Sequence, residues 1–295
     1  DGDGDSDGDS DSDTGTDPKA DSDLDSDTYL DVGTDTDSNN ETDDDISTLS
    51  AVELTELMGL GWNLGNSLES IIVDGSELSG DETFWGNPVV TKELIDLVKA
   101  NGFNAVRIPV SWSHQLASQQ DYLIEAAWLQ RVEEVVNYVL DNEMFAIINV
   151  HWDGGWMDHP DYAHQDAINS KLAVLWEQIA TYFEHYDNHL VFAGSNEVHM
   201  EGQWGEPTTE NAEVQNSFNQ VFVDAVRATG GNNSNRHLIV QLYLTDIDNA
   251  PVFVIPNDTA SDRLLVEAHF YDPYDFTIMP TQDGDISTQW GSDFA

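Results

Sequence analysis

The chain has 295 residues, a formal net charge of −48, no cysteine, nine Trp, nine Tyr and eleven Phe. The aromatic content is that of a folded protein, and the length suits one large domain or two small ones. So acidic a surface repels nucleic acid and anionic membranes, which excludes both as partners, and without Cys there is no disulfide framework. The charge suits a neutral substrate and resembles the acidic surfaces of proteins that work in high salt. No transmembrane run is present, and the chain opens on Asp1 and not on a signal peptide, so if the protein is secreted its signal was removed or is not included in this sequence.

Residues 1–45 alternate Asp with Gly, Ser and Thr and include one basic residue, Lys19. Leu24, Tyr29, Leu30 and Val32 are their only larger apolar side chains, so they predict a self-repelling, disordered acidic linker between modules. Asp3, Asp5, Asp7 and Gly8 match the start of a calcium loop, but Thr14 stands where the bidentate Glu is required. A calcium-dependent spacer is therefore a secondary expectation for this segment.

From residue 46 onward short apolar runs alternate with helical stripes. Leu60–Leu64 reads as an opening strand, followed by a helix through Leu94, Ile95 and Val98 that stops at Asn101-Gly102. The run 105–110 precedes a helix on Trp128, Val132, Val135, Val136 and Val139; the run 145–150 precedes one on Leu172, Leu175, Trp176, Ile179 and Phe183. The run 190–193 precedes a helix on Val214, Phe218, Val221, Phe222 and Ala225, and further runs lie at 238–242 and 264–268. Nearly continuous apolar strands alternating with amphipathic helices predict an α/β fold with a parallel sheet. Trp128 and Trp176 lie on helical stripes and read as core.

The strand ends deliver Asn63, Arg107, His151, Glu197, Tyr243 and His269, the first five at nearly equal intervals. A (β/α)8 TIM barrel assembles its site from such strand-end residues on one face. A doubly wound open sheet should carry a Gly-rich phosphate loop after an early strand, and Gly59, Gly61 and Gly65 do not supply that spacing. The most informative strand end is Ser195-Asn196-Glu197, where a buried run stops abruptly at an amide and a carboxyl. A carboxyl beside a hydrogen-bonding amide in a partly apolar site can hold its proton near neutral pH and act as a general acid.

Six motifs in order complete the pattern: Gly61-Trp62-Asn63-Leu64-Gly65-Asn66, Arg107-Ile108-Pro109-Val110-Ser111-Trp112, Asn149-Val150-His151-Trp152-Asp153-Gly154-Gly155-Trp156, Ser195-Asn196-Glu197, Val226-Arg227-Ala228-Thr229-Gly230-Gly231-Asn232-Asn233 and His269-Phe270-Tyr271. This set resembles glycoside hydrolase family 5, the cellulase family of retaining β-glycanases. The resemblance implies a secreted, monomeric endo-β-1,4-glucanase without cofactor or catalytic metal, acting on β-glucan polysaccharide, with other modules such as a carbohydrate-binding module in the parent chain. It implies Glu197 as general acid/base, Asn196 on the sugar 2-hydroxyl, and Arg107 beside a second, nucleophilic carboxylate. His151, His269 and Tyr271 would bind the sugar at the cleavage point or tune the carboxylates. Asn63, Trp62, Trp85, Trp156 and Trp204 would bind substrate, the Trp rings by stacking on pyranose faces.

Two departures qualify these expectations. The family often shows His-His where this chain has His151-Trp152, and its nucleophile is a Glu ending a seventh strand, for which no motif follows Tyr271. The sequence therefore reads as residues 46–295 of a C-terminally truncated, inactive barrel of about six strand–helix units. Mannan, xyloglucan, lichenan and xylan hydrolysis, and non-catalytic carbohydrate binding, are the alternatives.

Overall fold

The computed structural model describes residues 46–75 and 77–278; the acidic segment and its calcium motif lie outside the described residues. The chain divides into two units, 1–42 and 43–295, and the second holds every described element. In chain order these begin with α1 (Ala51–Met58), β1 (Gly61–Asn63), the hairpin β2 (Ile71–Asp74) and β3 (Glu77–Gly80), α2 (Lys92–Ala100) and β4 (Ala105–Ile108). A small ribbon, β5 (Leu116–Ser118) and β6 (Leu123–Ile124), precedes α3 (Ala126–Leu140), β7 (Phe145–Asn149), α4 (Gln165–Tyr182) and β8 (Leu190–Ala193). Then come α5 (Thr209–Ala228), β9 (Leu238–Gln241), β10 (Leu264–Glu267) and α6 (Tyr274–Thr277).

β1, β4, β7, β8, β9 and β10 pair in that order into one six-stranded parallel sheet, as the apolar runs predict. This is the (β/α)8 barrel architecture, of which the described residues supply six strands. The helices start and stop where local chemistry dictates. Thr91 caps α2 through Leu94 N–H, and Gly102, at φ +88°, follows the Asn101 C-cap as the expected stop. Thr208 and Asn211 form a reciprocal capping box that opens α5. Periodicity does not reveal α1, because in eight residues it buries only Leu54.

Strand parity sorts the side chains into two layers, since successive residues point to opposite faces. Val106, Ile108, Ala146, Ile148, Leu190, Phe192, Leu238 and Val240 face the helices and join the large core built on the stripes of α3, α4 and α5. Ala105, Phe145, Val191, Ala193 and Ile239 face inward and form a second apolar cluster with Leu54 of α1. Further along the same inward face the register sets Asn63 beside Arg107 and Gln241 beside Glu267. The inner layer is thus apolar at the N-terminal ends of the strands and polar at their C-terminal ends. Gly194 lets the end of β8 approach α5: a Cβ there would lie 2.7 Å from the Phe222 ring, itself packed on Trp176. Trp128 and Trp176 are buried in this core, as their stripes predict.

Candidate active site

Glu197 follows the end of β8 and has φ +49°, a left-handed conformation that costs energy in a non-glycine residue. Such strain persists only where the surroundings enforce it, and here they do. Ser195 donates to Gln241 Oε1 at 3.1 Å, and Asn196 Oδ1 accepts from Arg107 Nη2 at 2.7 Å. Arg107 also donates to Asn63 Oδ1 at 3.1 Å, so its guanidinium spans the ends of β1, β4 and β8.

The Glu197 carboxyl meets His269: Oε1 lies 2.5 Å from Nδ1. The other ring nitrogen, Nε2, lies 2.8 Å from Glu267 Oε1. With a carboxyl oxygen at each nitrogen, the protonated ring donates both ways. Burial alone would lower its pKa, but Glu197 and Glu267 outweigh burial and raise it to about 9. Glu267 answers in the opposite sense. Burial would raise it, yet His269, Arg107 and Gln241 hold it at about 2. Gln241 Nε2 donates to it at 2.9 Å; Arg107 Nε sits at an ion-pair distance of 3.1 Å without aiming its N–H at the oxygen.

His151 has the reverse character. Val110 N–H occupies Asn149 Oδ1, so the Asn149 amide NH2 faces His151 Nδ1 at 3.2 Å and that nitrogen accepts. Burial, reinforced by Arg107, pushes the ring down to about 3 and keeps it neutral.

These shifts fix the sign of two pH effects. His269 is raised, so its contribution to stability is complete below about 6.5, the unfolded value, and disappears as pH rises through about 9. His151 is depressed, so stability falls as pH drops from about 6.5 toward 3, where only the unfolded chain takes up the proton. An NMR titration of the imidazoles should give His269 a midpoint near 9, and Glu267→Gln should lower it. A wild-type midpoint at or below about 6.5 would remove the two-carboxylate bridge.

Three clefts meet at Glu197. One, about 570 Å³, is lined by Asn63, Glu69, Trp85, Arg107, His151 and Asn196, and it also reaches Glu267, His269 and Tyr271. A second, about 510 Å³, runs past His269 and Tyr271 to Tyr274, with Trp204 on its wall. The third, about 420 Å³, lies between Trp152 and Trp204 and reaches Asn196. Of the residues expected in the site, Glu197, Asn196, Arg107, His151, His269, Tyr271, Asn63, Trp85 and Trp204 line these clefts.

Two expected substrate-binding residues do not. Trp62 lies between Gly61 and Asn63 on β1, so parity turns it outward onto the helix-side core while Asn63 faces the site. Trp156 is anchored by two contacts: Nε1 donates to Asp153 Oδ2 at 2.7 Å, and Lys171 Nζ lies 4.2 Å over its ring. Neither is among the residues lining these three clefts, and strand periodicity alone accounts for the first. Glu267 is a site residue that the motifs do not flag. It sits within an apolar run, two residues before His269, and a charge at such a position is the available signal.

Comparison with known proteins places the chain among glycoside hydrolases. The model of Cellulase (glycosyl hydrolase family 5) matches residues 69–293. The xyloglucan-specific endo-β-1,4-glucanase of Bacteroides ovatus is 51% identical over 251 residues, covering 84% of this chain and 50% of that protein. The solved Bacteroides ovatus GH5 xyloglucanase in complex with a XXXG heptasaccharide superposes with TM-score 0.81 at 49% identity, over 84% of this chain and 54% of the other. A GH5-4 broad specificity endoglucanase from Ruminococcus champanellensis with bound cellotriose gives TM-score 0.77 at 41% identity, over 83% and 72%. The chain spans about half the length of the Bacteroides relative.

Proposed function

This chain belongs to glycosyl hydrolase family 5, and from that premise we propose that it carries the acid/base half of a retaining endo-β-1,4-glucanase site. The observation that supports this most is the place of Glu197, where three clefts converge, beside an amide held by Arg107. Glu197 would protonate the departing glycosidic oxygen and, as the carboxylate, then take a proton from the attacking water. His269 holds one of its oxygens and so orients the carboxyl. Asn196, fixed by Arg107, would hold the sugar 2-hydroxyl, a contact that tightens as the ring flattens in the transition state. His151, neutral and accepting at Nδ1, presents Nε2–H as a donor to a sugar hydroxyl. The half-exposed ring of Trp85 and the exposed ring of Trp204 would stack on pyranose faces.

A retaining mechanism needs a second carboxylate roughly 5 Å from the first. Glu267 is poorly suited to attack. An imidazole ring separates it from Glu197, three side chains engage it, and its depressed pKa makes it a weak nucleophile. We read it as an orienting anion, with the nucleophile contributed by a later strand of the whole protein. Polymer of this kind is met outside the cell, so we read the whole protein as secreted.

Two measurements on the whole protein test this. The first product of glucan cleavage, followed by proton NMR, should appear as the β-anomer; an α-anomer first would mean inversion. Trapping with a 2-deoxy-2-fluoro-glycoside should label a Glu outside residues 46–278. A label on Glu267 would overturn its assignment as an orienting group.

A further inference from the structure

Of the six strand-end residues in the sequence pattern, Tyr243 alone lines none of the three clefts around Glu197. It follows β9 directly, is buried, and turns its hydroxyl toward the loop that carries Glu197. The hydroxyl oxygen accepts from Met200 N–H at 2.8 Å, three residues beyond the carboxyl.

A second buried ring holds the same loop nearer its origin. His199 Nδ1 lies 2.7 Å from the carbonyl oxygen of Glu197, which can only accept, so that nitrogen carries the proton and donates. Trp204 stacks on the imidazole with ring centroids 4.3 Å apart and so fixes its plane. Between these two anchors the Val198 carbonyl accepts from Leu244 N–H at 2.9 Å, and beyond them Glu201 N–H donates to the Asp158 carbonyl at 2.9 Å.

These contacts close a circuit. Leu244 and Thr245, at φ +58° and +53°, are left-handed non-glycine residues like Glu197. Leu244 holds Val198, while the Thr245 carbonyl accepts from His269 N–H at 2.8 Å. His269 then returns to the Glu197 carboxyl through Nδ1. The path runs from the backbone after Glu197, through the segment after β9, to the end of β10 and back. Left-handed backbone at non-glycine residues persists only where the surroundings over-determine it, and Tyr243 and His199 supply side-chain bonds that do so here.

We propose that Tyr243 and His199 are positioning residues for the acid/base: they lock the backbone of its loop so that the Glu197 carboxyl stays against His269 at the junction of the clefts. The inference rests on the glucanase reading above and deepens it by naming what aims the acid. A general acid must sit within hydrogen-bond reach of the oxygen it protonates, and a displacement of about 1 Å can cost about 10²-fold in rate.

Tyr243→Phe removes the hydroxyl and keeps the ring. His199→Leu removes the donor, whereas His199→Asn sets an amide N–H close to where Nδ1 stood. On this chain, imidazole NMR should show the His269 midpoint, near 9 in wild type, falling in Tyr243→Phe and His199→Leu and holding in His199→Asn. On the whole protein, kcat/KM for unsubstituted β-glucan should fall about tenfold in the first two variants. For an aryl cellobioside with an acidic phenol, which needs little protonation, it should stay within about twofold. His199→Asn should recover most of the polymer rate. A general loosening of the site would lower both substrates alike and would not be rescued. Equal losses on the two substrates, no loss on the polymer, or an unmoved His269 midpoint would overturn the assignment. If His199→Leu does not fold, Tyr243→Phe decides by the same readings. A falling midpoint in the variants, with a wild-type whole protein that hydrolyses neither substrate, would uphold the lock on the Glu197 loop and overturn the glucanase reading.

Discussion

Replacing Glu197 with Gln in the whole protein should lower kcat on unsubstituted β-glucan by about 10²- to 10⁴-fold, the range general acid–base catalysis supplies. The amide keeps the shape and a hydrogen-bond acceptor for His269, so the fold and the clefts should survive. It has no proton to give to a glycosidic oxygen and no basicity to activate water. The loss should depend on the leaving group. An aryl cellobioside with an acidic phenol needs little protonation, so its burst of phenol should persist while turnover stalls at the second step. Added azide, which needs no general base, should restore turnover and yield a glycosyl azide. Reducing-sugar and phenol release measure both arms, and a variant within about tenfold of wild type on the polymer would end the acid/base assignment.

The second large effect concerns stability. Arg236 is fully buried and donates to Asn233 Oδ1 and to the carbonyl oxygens of Phe183, Tyr186, Asp187 and Leu190. It binds the end of α4 to the start of β8, the strand that carries Glu197, and its guanidinium lies 4.7 Å over the Phe192 ring. Burial lowers its pKa to about 10, so it stays charged throughout the neutral range. Arg236→Met keeps much of the volume but strands these acceptors away from water. A buried polar group left unpaired costs about 1–3 kcal/mol. Because several acceptors are stranded together, we expect a loss of about 3 kcal/mol, read from urea unfolding of this chain by Trp fluorescence. A loss below about 1 kcal/mol would mean that water reaches those carbonyls and that Arg236 does not hold β8.

Much of this architecture is legible in the order of the residues. Each of the six sheet strands lies within its apolar run, with ends within two residues, and the helices α2, α3, α4 and α5 follow their stripes. These signals are local: an apolar strand or a stripe of period 3.6 is written in neighbouring residues. Parallel strands joined by helices then bring their C-terminal ends to one face, which places Asn63, Arg107, His151, Glu197 and His269 together without further information. Short elements escape for the same reason. α1 buries one residue, and the β2–β3 and β5–β6 ribbons are too brief to show a period.

Local pattern thus specifies the parallel sheet, the helices that cover it, and the set of polar residues gathered at the strand ends. How those polar groups pair is a property of the folded chain alone. His269 lies between Glu197 and Glu267, Asp158 under Trp152, and His199 between Glu197 and Trp204. Trp204 stands at a cleft, whereas Trp156 is anchored on Lys171 and Asp153. Partners far apart in the chain are chosen by inter-strand register and by the course of the loops. A pKa depends on the charges that this choice sets within a few ångströms of the group, so protonation states such as those of His269 and His151 have no local signature in the sequence.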